Sequence, residues 1–290
     1  MSSDLFMVAF GYHGDSFHGS QVQNDVRTVQ GELIHALRRL KWWSEGCLEI
    51  SSRTDAGVNV RMNLATIKLP DGMGSNVESS MLTKALNDHT PVELAVWGGC
   101  HVPEGTSPRL AISRTYLYRT EIMQFWPSEV DVDLFTEACS IIVGEHNFTN
   151  LCRLDSDRNP VRTIDSCIPW LNSNGEVLGF SVTAQSFLWN QVRRIASSFE
   201  GVVVGRITID ELRRALEEPN TKVDFGRAPS DGLILWSIRH PNFSIKDSGL
   251  PSADGLIRPP EGSRQRIRWR SLAKFEASYL LEREWLKLLN

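Results

Sequence analysis

The sequence predicts an α+β protein built from two subdomains, and three observations carry that prediction. Apolar residues alternate between strand-like and helix-like spacing over roughly the first hundred positions, in the order β-α-β-β-α-β. A related order of elements begins again near residue 114. The 290 residues are 41% hydrophobic and 23% charged, which suffices for one large domain or two modest ones and excludes disorder over most of the chain.

Taken in order, Leu5 to Tyr12 reads as a short buried strand, and the stretch Gly11 to Ser20, rich in Gly, His, Asp and Ser, as its loop. Thr28 is placed to cap a helix from Val29 to Trp43, with Val29, Leu33, Leu37 and Leu40 on one face and Arg38, Arg39 and Lys41 on the other. Cys47 to Ser51 is a strand that runs into the loop Ser52 to Asn59, and Met62 to Lys68 returns as a strand. Val77 to Asn87 is helical and Val92 to Val102 extended, which completes a split βαβ unit of the ferredoxin-like kind.

The second series starts with a strand from Arg114 to Met123 and a helix from Val132 to Val143, where Gly144 serves as the stop. Strands Ile164 to Leu171 and Val177 to Ala184 follow. A long helix from Phe187 to Val204 keeps Leu188, Val192, Ile195, Phe199 and Val202 on one stripe. Asp210 to Glu217 is a short helix and Leu233 to Ile238 a closing strand. The likeness of the two halves lies in element order and not in sequence, so the expected domains are residues 1–105 and 106–243, with mostly antiparallel sheets packed side by side. Ser244 to Gly262 has the composition of a linker. Arg258, Arg264, Arg266, Arg268, Arg270 and Lys274 then stand against the single acid Glu261, ahead of a helix from Ser271 to Leu289. Residues 244–290 thus read as a linker with a basic helical extension, either a solvated face or an arm that contacts phosphates.

A net charge of −4 excludes binding of a polyanion through bulk charge, so any nucleic-acid partner must meet a local patch. The five cysteines, at 47, 100, 139, 152 and 167, have no C-x-x-C or zinc-like spacing and read as reduced core thiols of a cytoplasmic protein. The apolar run Leu5 to Phe10 is too short for a signal-peptide core, and no window reaches membrane length. No Gly-rich phosphate loop is present.

The stretch Ser52-Arg53-Thr54-Asp55-Ala56-Gly57-Val58 is the most informative. Asp and Gly form turns, so an ordinary strand connection is one reading. A carboxylate in a strand-connecting loop, with backbone donors and a cation two residues away, is also suited to act as a nucleophile or base. His13 and His18, with Asp15 or Asp25, lack the spacing of a ligand helix, and their loop position favours structural or surface roles.

This stretch resembles the catalytic loop of the TruA family of pseudouridine synthases, and five further motifs agree in order over residues 5–240. Gly19-Ser20-Gln21-Val22-Gln23 with Thr28-Val29-Gln30-Gly31-Glu32-Leu33 is similar to the amino-terminal signature of that family. Arg114-Thr115-Tyr116-Leu117-Tyr118 resembles its Arg-x-Tyr-x-Tyr strand, and Gly144-Glu145-His146-Asn147-Phe148 its Gly-x-His-x-Phe turn. Phe187-Leu188-Trp189-Asn190-Gln191-Val192-Arg193 resembles its Phe-Leu-x-x-x-Val-Arg helix, and Ala228-Pro229 with Gly232-Leu233-Ile234-Leu235 its closing strand.

The resemblance implies the pseudouridine synthase fold, with two ferredoxin-like, RRM-like subdomains, and Asp55 as the catalytic carboxylate. It places Tyr116 against the flipped base, where an aromatic face replaces lost stacking, and it makes Arg193 the ion-pair partner that holds Asp55 ionised. It assigns RNA contacts to Arg53, Arg109 and Gln21 and an apolar wall to Leu235, while Tyr118 reads as supporting or core. The reaction would be an isomerisation of tRNA uridines 38 to 40, with no cofactor or metal, by a homodimer that acts on RNA and not on DNA or membrane. The alternatives are a non-catalytic RNA-binding module on the same scaffold, a synthase acting at other RNA sites, and a glycosidic-bond hydrolase, which would ordinarily need paired carboxylates. The chain departs from the family pattern in having Ser20 for Trp, Asn59 for His, and only Pro108-Arg109-Leu110 for Phe-His-Ala-Arg-Phe, departures that bear on substrate fit.

Overall fold

Eight consecutive residues, Leu5–Tyr12, form β1 and are buried along their whole length, which requires neighbours on both edges and both faces. In the computed structural model, which describes residues 4–154, 158–244, 249–260 and 263–289 (apart from the side chains of 263, 264, 267 and 268), those edges are filled by antiparallel partners. β3 (Asn59–Lys68) lies on one side and β4 (Leu94–His101) on the other. β2 (Leu48–Ile50) pairs with the far end of β3, and β9 (Leu233–Arg239) runs parallel to its start, with Asn59 opposite Ile234 and Val60 opposite Leu235. With α1 (Val29–Arg39) and α2 (Ser79–Asn87) the order is β-α-β-β-α-β, as the periodicity predicts.

Residues 1–112, 234–247 and 277–290 form this first unit. Thr28 caps α1 by accepting from Gly31 N at 3.2 Å, and Val29, Leu33, Ala36 and Leu37 are its buried face. The helix stops at Arg39, short of the expected Trp43. Lys41 there adopts φ 60°, and the amide of Trp42 turns back to Leu37 O at 2.9 Å. This is a Schellman-type ending, which apolar periodicity does not signal when the left-handed residue is not Gly.

Residues 113–233 and 248–276 form the second unit. Its strands β5 (Ser113–Arg119), β6 (Gly144–Asn147), β7 (Val161–Leu171) and β8 (Val177–Ala184) are antiparallel in the order β5-β8-β7-β6. Its helices are α3 (Val132–Ile141), α4 (Gln191–Val203) and α5 (Ile209–Glu217). Two local readings are corrected. Gly144, expected as a helix stop and as the start of a turn, opens the strand β6 with φ 103°. α4 starts at Gln191 and not at Phe187, because Asn190 is left-handed at φ 60°.

The last helix, α6 (Ser263–Leu288), begins eight residues earlier than the sequence suggests; its residues through Glu276 belong to the second unit and those from Ala277 to the first. Of the expected linker, residues 245–248 and 261–262 lie outside the described residues. The rest is docked on the second unit: Trp170 Nε1 donates to Pro251 O at 2.9 Å and Ser173 N to Asp254 Oδ1 at 2.8 Å. Arg258 donates to Val177 O and pairs with the buried Glu121, which also holds Arg119 at 3.0 Å, and Arg119 reaches Glu276 at 2.7 Å. Burial pushes the Glu121 carboxyl above the usual carboxylate range, and the two guanidinium groups oppose that rise.

In the first unit the end of α6 is fixed by Arg61, which is wholly buried. Glu284 lies 3.4 Å from its Nε, the indole of Trp236 stacks 4.6 Å from its guanidinium, and Trp285 Nε1 donates to its carbonyl at 3.0 Å. No helix among the described residues is long and apolar enough to cross a membrane.

Two outcomes are expected. Glu284→Ala leaves the buried Arg61 without its carboxylate and should cost about 3–5 kcal/mol in chemical denaturation. The Cys152 thiol, pushed up to about 11 by burial, should alkylate on the order of 100-fold more slowly at neutral pH than an ordinary thiol, with the rate rising as pH rises, read by mass spectrometry of labelled peptides.

Candidate active site

The loop that carries Asp55 joins the antiparallel strands β2 and β3, and it is held mainly by bonds from outside itself. At its start the buried side chain of Asn63, on β3, accepts from Ser52 N at 3.1 Å and donates to Ser52 O at 2.8 Å. Next along, Thr54 N donates to Ser20 Oγ at 2.8 Å, Ser20 N donates to Thr54 O at 3.1 Å, and the hydroxyls of Thr54 and Tyr12 meet at 2.7 Å. At its end Gly57 N donates to Gly14 O at 3.1 Å, and Gly14 N donates to Asn59 Oδ1 at 2.9 Å.

Glycine is required where these segments meet. A Cβ on Gly14 would lie 2.4 Å from Val58 O, well inside contact distance. Gly57 turns the loop with φ 82°, a conformation that side chains disfavour. Asp55 itself is half-buried between the two held residues, and Val58 N donates to its carbonyl at 3.3 Å.

The other first-unit residues singled out in the sequence have specific surroundings. Arg53 is exposed, and with the Gln21 amide turned so that its oxygen faces the guanidinium, Arg53 Nε and Nη2 donate to it at 2.9 and 3.2 Å. Arg109 is exposed and pairs with Glu49 at 3.0 Å, a carboxylate that also accepts from Ser107 Oγ at 2.9 Å. Leu235 is fully buried opposite Val60, two residues beyond the end of the Asp55 loop. His13 pairs with Glu282 at 2.9 Å and packs against the Trp285 ring at 5.0 Å.

Tyr116 and Arg193 belong to the second unit. Tyr116 lies on β5, 8% exposed, with the ring of Phe187 edge-on at 5.1 Å. Tyr118, two residues on, is fully buried, stacks on Phe180 and donates its hydroxyl to Pro229 O at 2.9 Å. Burial drives the Tyr118 phenol well above its usual range, which fits a core residue. Arg193, in the first turn of α4, donates from Nε to Ala228 O at 2.8 Å and receives Ala228 N on its own carbonyl at 3.0 Å. The Ala228-Pro229 motif thus holds both the arginine and the core tyrosine.

Sequence reasoning missed several residues. Ser20 and Asn63 bind the Asp55 loop and Asn59 binds Gly14, which holds the loop's end, and the signal for Ser20 and Asn59 was their departure from the family pattern. Trp189 was passed over inside the helix motif; it is 42% exposed with the Arg153 guanidinium 4.0 Å from its ring centroid. The basic arm also changes character. Arg258 and Arg266 spend their guanidinium groups on buried carbonyls and Glu121, whereas Arg270 is exposed; Glu261 and the side chains of Arg264 and Arg268 lie outside the described residues.

Comparison with known proteins agrees with the motif order. A sequence profile described as tRNA pseudouridine synthase matches residues 138–241. A protein of Methanoculleus marisnigri named tRNA pseudouridine synthase A is 35% identical over 253 residues, covering 86% of each chain. Its namesake in Pyrococcus horikoshii is 34% identical over 84% of this chain and 88% of its own, and that of Methylacidiphilum infernorum 32% identical over 81% and 95%. Identity of this extent, spread over both units and joined to an α+β architecture with mostly antiparallel strands, places the chain in the tRNA pseudouridine synthase A family of enzymes that convert uridine to pseudouridine.

Proposed function

We propose that this chain isomerises uridine to pseudouridine in the anticodon stem-loop of tRNA, at positions 38 to 40, with Asp55 as the catalytic carboxylate. The observation that carries the reading is the Ser52–Val58 motif, present in full and held as a loop on both sides of a half-buried Asp55, in a chain of this family. In the reaction the bond between C1′ and N1 breaks, the base turns, a bond between C1′ and C5 forms, and the proton on C5 is replaced by one on N1. The product is an isomer of the substrate, so no redox partner or group donor enters the balance.

Asp55 is the residue on which the detachment of the base depends. Tyr116 supplies an aromatic face for a base that has left its stack, and its hydroxyl is placed in the role of C5 proton acceptor. Arg193 supplies positive charge for the carboxylate chemistry, and its guanidinium is held by two donors at once, Nε on Ala228 O at 2.8 Å and Nη1 on Asn190 Oδ1 at 3.4 Å, a planar arrangement that lysine would not reproduce. Arg53, Gln21 and Arg109 are proposed RNA contacts, and Leu235 the apolar wall behind the loop. The Gln21–Arg53 bond supports a joint role for that pair, while the Arg109–Glu49 pair means that RNA must compete with a carboxylate there. The positive surface is assigned to Arg38 and Arg39 on the exposed face of α1 and Lys41 just past its end, to the Arg153–Trp189 pair, and to Arg270. The protein is proposed to act in the cytoplasm as a homodimer.

The decisive experiment incubates unmodified tRNA transcript with wild type and with Asp55→Ala and maps pseudouridine by chemical labelling. Product at 38 to 40 in the wild type and none in the variant is the expected result. Free uracil would indicate hydrolysis, product elsewhere would relocate the substrate, and binding without product would leave an RNA-binding module. Tyr116→Ala should abolish product, whereas Tyr118→Phe should keep the activity and lose about 1–3 kcal/mol of stability by leaving Pro229 O unbonded. If six to ten phosphates are contacted, tRNA affinity should fall by about 10³- to 10⁵-fold between 50 and 200 mM salt. Affinity insensitive to salt would overturn the assigned surface.

A further inference from the structure

We infer that Ser20 and Asn59 are positioning residues for Asp55, a role that rests on Asp55 being the reactive carboxylate. Asp55 sits between two anchored positions. Thr54, before it, has both backbone groups bonded by the single residue Ser20, the amide to Oγ at 2.8 Å and the carbonyl to the Ser20 amide at 3.1 Å. Gly57, two residues after it, donates to Gly14 O at 3.1 Å, and Gly14 is in turn held by Asn59 Oδ1 at 2.9 Å. Residues 14–20 therefore splint the loop at both ends of the carboxylate, and Ser20 and Asn59 are the side chains that fasten the splint.

Neither residue is placed to touch RNA. Ser20 is 1% exposed and Asn59 8%, so their hydroxyl and amide act on the backbone and reach the reaction only through Asp55. The splint is closely fitted: Gly19 takes φ 94°, and a Cβ there would stand 3.1 Å from Thr54 O.

These are also two of the positions at which the sequence leaves the pattern it resembles, with serine for Trp and asparagine for His. An indole nitrogen is only a donor and could not accept from Thr54 N as Ser20 Oγ does. The hydroxyl is therefore this chain's own means of holding the amide that precedes Asp55. A reacting group displaced by about 1 Å loses on the order of 100-fold in rate, which makes such a fastening kinetically visible.

The test measures the single-turnover rate of pseudouridine formation at saturating enzyme, the tRNA dissociation constant and the melting temperature. The variants are Ser20→Ala, Ser20→Thr, Asn59→Ala and Asn59→Asp. The alanine variants are expected to lower the rate about 10- to 100-fold and leave tRNA affinity within about two-fold, at a temperature where each is fully folded. Ser20→Thr, which keeps the hydroxyl, and Asn59→Asp, which keeps an acceptor for Gly14 N, are expected to recover most of the rate. An unchanged rate, a loss confined to tRNA affinity, or a loss that the acceptor-keeping variants do not recover would overturn the inference. If one alanine variant fails to fold, the other alanine variant and its acceptor-keeping counterpart still decide the matter. Wild type and Asp55→Ala run alongside separate this failure from that of the catalytic assignment: equal activity in those two would remove Asp55 from the chemistry, whatever Ser20 and Asn59 do.

Discussion

The Asp55 carboxylate, proposed to be the reactive group, lies on a loop between two strands that must be held by bonds from outside itself, because a strand connection of this length has few internal bonds to fix it. Here residues 12–20 provide them, through Tyr12, Gly14 and Ser20. That segment is itself a continuation of β1, whose complete burial makes it one of the least movable parts of the first unit. The end of α6 supports the same place. Glu282 pairs with His13, and the indole nitrogen of Trp285 passes so close to Gly11 that a Cβ there would lie 2.5 Å from it. A glycine within a strand, usually a weakness, is the condition for this approach.

The distribution of charge follows a related logic. Counting residues gives a mildly acidic chain with a run of arginines near its end. In the folded protein two members of that run are committed to partners in the second unit: Arg258 to Glu121, Val177 and Ser128, and Arg266 to the carbonyls of Met123 and Trp126. Arg119 and Arg61, which drew no notice in the sequence, are the buried centres of two ion-pair networks that attach the two halves of α6 to their respective units. Guanidinium suits this work because its planar donors satisfy several acceptors at once and keep their charge when buried. Among the described residues, the cations at the surface include those of α1 and the Arg153–Trp189 pair, which the run does not mark.

Elements with a clear period were legible. β1 and β8 have the boundaries that alternation and apolar runs assign, and the buried face of α1 is the one its four-residue spacing marks. What failed were endings and short pieces. Lys41 and Asn190 enter the left-handed region without being glycine, so α1 stops early and α4 starts late. β6 is four residues long, too short for any periodicity, and exists because β7 offers an edge to pair with. The compositional linker before α6 is docked because Trp170 Nε1, Ser173 N and the Glu121 carboxylate need partners there.

For the site, the sequence by itself marked the residues proposed to carry the chemistry: Asp55 in its seven-residue motif, Tyr116 on a strand and Arg193 on a helix, together with a family resemblance that the relatives share over most of the chain. Motifs are legible because they are local in sequence. Tertiary structure alone decided what holds them: that Ser20 binds the backbone of Thr54 and Asn59 that of Gly14, which in turn holds Gly57, that Ala228 O takes Arg193 Nε, and that Tyr118 is core while Tyr116 is edged by Phe187. Hydrogen bonds between residues 34 to 45 positions apart leave no trace in local composition or period, since each depends on where two separate segments are brought by the packing of β1 against β3.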